Sequence, residues 1–174
     1  VKERGPLSKQ ATLAVCRRLI DALQFLHEHS KHAHRDIKPQ NICVARKAND
    51  PTLYLIDFGL ASPLFNERDE HQPLEEVAPK AAANARRRVV GSVRYLSVHA
   101  HQAVERYGRA RRAATSRRCD LEAVAYVAMY LHEGRLPWSD LPAKTGPEPD
   151  VAIHRAKARV PPSQPVGPAL STPG

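Results

Sequence analysis

The sequence predicts an α+β fold, mainly helical, with short antiparallel strands. Two stretches, residues 10–29 and 121–131, carry apolar residues dense enough for long helices. Two short apolar runs, residues 42–44 and 53–56, are divided by Lys47, Asn49, Asp50 and Pro51, which suits a small antiparallel pair. A length of 174 residues favours one domain with a real core. Eight prolines between 142 and 174 set off residues 142–174 from residues 1–141. We expect that tail to be disordered or loosely attached, with at most a short helix at 151–158.

Each element has its own local reason. After the Gly5-Pro6 breaker, Ser8 can cap the first helix, whose apolar stripe reads Leu13, Cys16, Ile20, Leu23 and Leu26. Residues 34–41 are polar and interrupted by Pro39, hence a loop. Residues 60–90 read as a long exposed loop with an acidic half (Glu67, Asp69, Glu70, Glu75, Glu76) before a basic one. The stretch 121–131 is apolar nearly all round, which predicts a helix in the middle of a core, ended by Gly134 as a left-handed cap.

The formal net charge is +9, and it is local. Ten arginines and a single acid, Glu105, lie between Arg86 and Arg118, and the rest of the chain sums to zero. No apolar run approaches the ~18 residues of a membrane span, and the start has no signal-peptide order. The expectation is a soluble chain of the cytoplasm, the nucleus or both, without a membrane partner. Beginning at Val1, it reads as a processed product or a fragment. Cys16, Cys43 and Cys119 are too few and too far apart for a disulfide framework or a paired-cysteine metal site.

The chemistry concentrates in two strings. His34-Arg35-Asp36-Ile37-Lys38-Pro39-Gln40-Asn41 precedes the strand pair, and Asp57-Phe58-Gly59 follows it. Phosphoryl transfer needs a hydroxyl placed in line with a terminal phosphate and charge neutralised on the phosphoryl oxygens. Asp36 can accept the hydroxyl proton, and Lys38 can reach the transferring phosphate. Asn41 offers a neutral oxygen to a magnesium ion, and Asp57 the carboxylate that this hard cation prefers. Phe58 and Gly59 anchor and release the loop that follows.

These strings resemble the signatures of the eukaryotic protein kinases. The resemblance narrows downstream to the casein kinase I and tau-tubulin kinase group. It does so through Gly91-Ser92-Val93-Arg94-Tyr95, Ser97-Val98-His99-Ala100-His101 in place of Ala-Pro-Glu, Arg117 to Glu122, and Gly134-Arg135-Leu136-Pro137-Trp138. It covers roughly residues 8–141. It implies a serine/threonine kinase using ATP and Mg2+, with Asp36 and Lys38 catalytic and Asn41 and Asp57 on the metal. Cys43 and Ile56 would line the adenine site. By the same resemblance Ser92 would hydrogen-bond Asp36, Asp120 would hold the catalytic-loop backbone, and His34 and Arg35 would support it. Arg94 would contact substrate phosphate beside Arg135, so protein substrates would be acidic or phosphate-primed.

The chain departs from the group at several positions. Ser92 stands for threonine, Cys119 for an aspartate, Ala125 for a glycine, Gln40 for Asp or Ser, and Pro142 for a lysine near Lys144. Residues 107–116 are an insertion. No glycine-rich loop, strand lysine or partner helix precedes residue 36, so the resemblance is to an incomplete large, C-terminal lobe, a floor for ATP without a roof. The alternative function is a non-catalytic binding module that docks acidic or phosphorylated partners through its arginines.

Plainer readings stand beside the sharper ones. Cys43 reads as an adenine-floor thiol by the resemblance and, more plainly, as a buried strand cysteine, and both readings can hold. His27, His29, His32 and His34 fit a helix end and a loop better than a zinc site, for no thiol or carboxylate completes a ligand spacing. The arginine window is an anion pocket, a nuclear-targeting or nucleic-acid patch, or a solvated loop. Tyr95 and Tyr107 are isolated, which disfavours base stacking and nucleic acid as a partner.

Overall fold

The structure, a computed structural model, describes residues 5–45, 50–71, 91–107, 116–141 and 149–160. Arg86 to Arg88, most of the 107–116 insertion, Pro142, Lys144 and residues 161–174 lie outside the described residues, as do the expectations placed on them. Helix α1 (Lys9–Glu28) begins where Ser8 Oγ accepts the Ala11 N–H at 3.2 Å. It packs chiefly on α3 (Arg117–Glu133). The apolar stripe predicted for α1 is rotated from the one observed: Thr12, Leu19, Leu23 and His27 are buried, whereas Leu13 is 59% and Ile20 46% exposed. Two polar residues complete the inner face: His27 meets the Asp120 carboxylate of α3, whereas the Thr12 hydroxyl is buried without a hydrogen-bond partner among the described residues.

Helix α3 starts four residues before the apolar run, with Ser116 Oγ accepting the Cys119 N–H. It is not buried all round. Ala123, Val124, Tyr126, Val127 and Leu131 face the core, and Leu121 and Ala125 face outward. Gly134 closes it at φ 76°, its N–H bonded to Tyr130 O. Leu7 N–H reaches Leu131 O at 2.7 Å, tying the entry of α1 to the end of α3.

Strands β2 (Ile42–Val44) and β3 (Leu53–Leu55) pair antiparallel in the register Ile42 to Leu55 and Val44 to Leu53. A second pair joins β1 (His32–Ala33) to β4 (Ser62–Pro63), with Ala33 opposite Ser62. These two-residue strands bracket the site in sequence and bring its two halves together. Beyond them Leu64 is fully buried, so the start of the 60–90 stretch is anchored, not wholly exposed.

Helix α2 (Val98–Tyr107) is capped twice: Ser97 Oγ accepts the Ala100 N–H, and Glu122 of α3 accepts the Val98 N–H at 2.7 Å. Helix α4 (Pro149–Ala158) packs against α2. The short helix expected in the tail is therefore present, but it is not loosely attached. Ile153 is fully buried in the cluster formed by Leu19, Leu23, Ile37, Tyr95, Val127 and Trp138. The boundary drawn at 141 falls short of this element. Prolines flag the region, yet Pro149 occupies the first turn of α4, where proline is tolerated, and the next proline is Pro161. Among the described residues no helix is long and apolar enough to cross a membrane.

Candidate active site

The loop after β1 is held by one buried carboxylate. Asp120, in the first turn of α3, is 1% exposed. Its Oδ2 accepts the His34 N–H at 2.8 Å, and its Oδ1 accepts the Arg35 N–H at 2.9 Å. His27 of α1 adds Nε2 at 2.8 Å from Oδ2. A buried charge is tolerable only when its lone pairs are engaged, and here three donors converge on it. Arg35 takes a positive φ of 72°, a conformation that non-glycine residues rarely adopt, and the two hydrogen bonds to Asp120 hold the backbone there. The His34 ring is fully buried, with Nε2 donating to Ile56 O at 3.1 Å and a tilted contact to Phe58 at 5.1 Å between centroids.

The turn at Arg35 aims Asp36. Its Oδ1 accepts the Ser92 N–H at 2.9 Å. Its Oδ2 faces the Lys38 ammonium and Asn41 Nδ2, the latter at 3.3 Å. Burial pushes the Asp36 carboxyl upward, but the bonds from Lys38 and Ser92 and the Lys38 charge outweigh it and hold it below the usual carboxylate range. It is therefore a carboxylate at neutral pH. Gly91 makes the approach possible: at φ 97°, a Cβ there would sit 2.5 Å from the Arg35 carbonyl oxygen.

Asn41 ends the short 3-10 turn Pro39–Asn41 and is buried. Its Nδ2 donates to both Asp36 O, at 2.8 Å, and Asp36 Oδ2. Both amide hydrogens are thereby committed, which turns the amide oxygen away from Asp36. Its backbone oxygen accepts the Ile56 N–H at 3.0 Å, locking the loop to the segment that carries Asp57. Asp57 also has positive φ, 65°, and accepts the Gly59 N–H at 3.3 Å while its carboxylate stays exposed. A neutral oxygen and an open carboxylate, one on each side of the β2–β3 pair, fit a hard divalent cation.

An open cleft beside this pair is lined by Lys38, Gln40, Asn41, Ser92, Val93, Arg94 and Tyr95. Arg94 is exposed and donates from Nη2 to Ser139 O at 3.2 Å, while its own carbonyl accepts Trp138 Nε1–H at 2.9 Å. Those bonds bring it to the turn that follows Arg135, itself exposed. Cys43 is exposed on β2, so the reading of it as a buried strand cysteine is corrected; side chains alternate across this short pair and Cys43 takes the outer face. Ile56 is 41% exposed. The histidines diverge: His27 serves Asp120, His29 stacks on Phe25, His32 bonds Ser30 O, and His34 lies under Phe58.

Three contributors escape the sequence reading. His27 looked like one more helix-end histidine, and only the packing of α1 on α3 reveals its partner. Glu122 sits inside a recognised string, but its bond to Val98 spans α3 and α2. Lys157 of α4 is 3% exposed and reaches Val93 O at 2.9 Å; nothing local marks a lysine as buried.

Comparison with known proteins agrees with the geometry. The protein kinase domain family matches residues 1–158. A probable casein kinase I homolog of Encephalitozoon cuniculi (strain GB-M1) is 33% identical over 154 residues, covering 88% of this chain and 44% of that protein. A second probable casein kinase I homolog of the same organism is 32% identical over 140 residues, covering 79% of this chain and 37% of that protein. The chain thus spans less than half the length of these curated relatives.

Proposed function

The chain belongs to the protein kinase family, and from that premise we propose that it carries the large-lobe part of a serine/threonine kinase of the casein kinase I type. The observation that supports this best is the convergence on Asp36. Ser92, Lys38 and Asn41, which line the cleft, all bond its carboxylate and keep it ionised at the cleft's edge. A carboxylate so placed can accept the proton of a substrate hydroxyl as the oxygen attacks phosphorus. Lys38 offers positive charge to the transferring phosphate. Asn41 and Asp57 would hold Mg2+, and MgATP supplies the phosphoryl group when bound. Cys43 and Ile56 are the side chains we assign to the adenine side.

Arg94 and Arg135 favour acidic or phosphate-primed protein substrates, because both are exposed beside the cleft and carry charge that Ser139 O does not neutralise. The test is transfer of labelled terminal phosphate from MgATP to casein, followed by phosphoamino-acid analysis. Label on serine and threonine, absent from tyrosine, supports the reading. Casein that stays unlabelled, while acidic peptides still bind, supports the docking module instead.

A further inference from the structure

Helix α4 contributes a buried amine to the wall of the cleft. The Lys157 ammonium donates to Val93 O at 2.9 Å and to Leu96 O, and lies 3.2 Å from His101 Nε2 of α2. It also sits over the rings of Tyr126, at 4.7 Å, and Trp138, at 5.1 Å. Two carbonyls accept from the ammonium, His101 Nε2 can accept its third hydrogen in the tautomer that leaves that nitrogen bare, and two aromatic faces lie against the remaining charge. Lysine is almost never fully buried unless it is paired, and no carboxylate bonds this one among the described residues.

Its partners matter more than its burial. Val93 lies between Ser92, which bonds Asp36, and Arg94, and Val93 to Tyr95 line the cleft. Leu96 closes the same turn, since the Tyr95 and Leu96 N–H groups both donate to Ser92 O. With its carbonyls facing inward, this turn needs an internal donor. We infer that Lys157 is a positioning residue, an α4 clamp whose amine fixes the backbone of residues 93–96 and so the wall of the cleft against which a peptide substrate lies.

The geometry accommodates either protonation state. As a neutral amine, Lys157 still donates to both carbonyls, and its lone pair accepts from His101 Nε2–H after a change of tautomer. Burial pushes the amine down to about 7, with Glu122 opposing, and burial followed by the Lys157 and His154 charges pushes His101 down to about 3. The groups facing the amine are His101 from α2, His154 from α4, and Glu122 and Tyr126 from α3. An opening that returns Lys157 to water restores its ordinary basicity. Opening therefore takes up a proton between about pH 7 and 10.5, and acidification over that range loosens the clamp by up to about tenfold per pH unit.

Peptide positioning rests on the kinase reading, whereas the clamp is readable without turnover. Hydrogen exchange of the Tyr95 and Leu96 amides in the full chain is the primary test. Lys157→Met should speed it by tenfold or more while amides of α1 and α3 keep their rates. In phosphate transfer the same variant should raise the KM for peptide at least fivefold and leave kcat within twofold. Should Lys157→Met fail to fold, the native chain decides: opening of Tyr95 and Leu96, corrected for intrinsic chemistry, rises as pH falls from 9 to 7. Unchanged protection in a folded Lys157→Met, or a pH-independent opening in the native chain, overturns the clamp. Lost protection in a chain that transfers no phosphate keeps the clamp and overturns the enzyme reading.

Discussion

The two halves of the candidate site are built by different means. The loop of residues 33–41 buries Ala33, His34, Asp36, Ile37 and Asn41, and its central polar groups are bonded: Asp120 takes three donors, Asp36 is fixed from both sides, and Asn41 spends both amide hydrogens. Across β2 and β3, the segment of residues 56–60 is open. Ile56, Phe58 and Leu60 are 41%, 50% and 38% exposed, and Asp57 is steered by a positive φ and one long bond from Gly59. The half that would hold the base is preorganised by a buried polar network, where each bond is strengthened by exclusion of water. The half that would hold the cation depends on backbone conformation. Substitutions that remove a buried acceptor from the first should destabilise the protein most, and those in the second should mostly spare it.

The largest expected effect is at the centre of the buried half. Asp120→Ala leaves the His34 and Arg35 N–H groups and His27 without their acceptor, and should cost about 3–5 kcal/mol in urea unfolding. A loss under about 1 kcal/mol would erase the contrast. Gly91→Ala comes next. Its new methyl would meet the Arg35 carbonyl oxygen at 2.5 Å with the backbone at φ 97°, so about 1–3 kcal/mol should be lost, together with the bond from Ser92 to Asp36.

Acid sharpens the comparison without mutation. His101 has a folded value of about 3 against an ordinary 6.5, lowered by burial first and then by the Lys157 and His154 charges. Its contribution is fully present above pH 6.5 and is lost as pH falls from 6.5 towards 3, because the unfolded chain takes up the proton first. Asp36, held below its ordinary 3.8, adds a loss only below that value. Stability should decline below pH 6.5 with a slope of up to about 1.4 kcal/mol per pH unit, and His101→Gln should flatten it. The smallest effect is on the open side: Phe58→Ala removes a half-exposed ring and one tilted contact to His34, and should cost less than about 1.5 kcal/mol by thermal unfolding.

The same division explains what could be read from the sequence. The start of α1 at Ser8, the end of α3 at Gly134 and the β2–β3 pair are local matters of capping, left-handed backbone and short apolar runs, and all three are found where they were expected. The strings proposed for the site stand out because phosphoryl transfer, the proposed chemistry, needs particular groups at short spacing. What stayed hidden depends on contacts between distant residues. The buried face of α1 includes Thr12 and His27, of which His27 is drawn inward by Asp120 of α3. Strands β1 and β4 have two residues each, too few to show a period. Composition alone made α4 part of a tail, and neither Ile153 nor Lys157 shows in sequence that it closes the core.

The central claim is that Asp36 takes the hydroxyl proton from within a loop already assembled by Asp120. Asp36→Asn tests it most directly, since the amide keeps the shape and its oxygen can still accept from Ser92, yet it cannot serve as a base. The measurement is single-turnover transfer of labelled phosphate from MgATP to casein, with unfolding and MgATP binding followed on the same sample. The account predicts transfer lowered by roughly 100-fold or more in a chain that stays folded, at some cost in stability because the new amide N–H faces the Lys38 and Asn41 donors, and that keeps MgATP affinity near native. Transfer within a few-fold of native by a folded Asp36→Asn protein would contradict it.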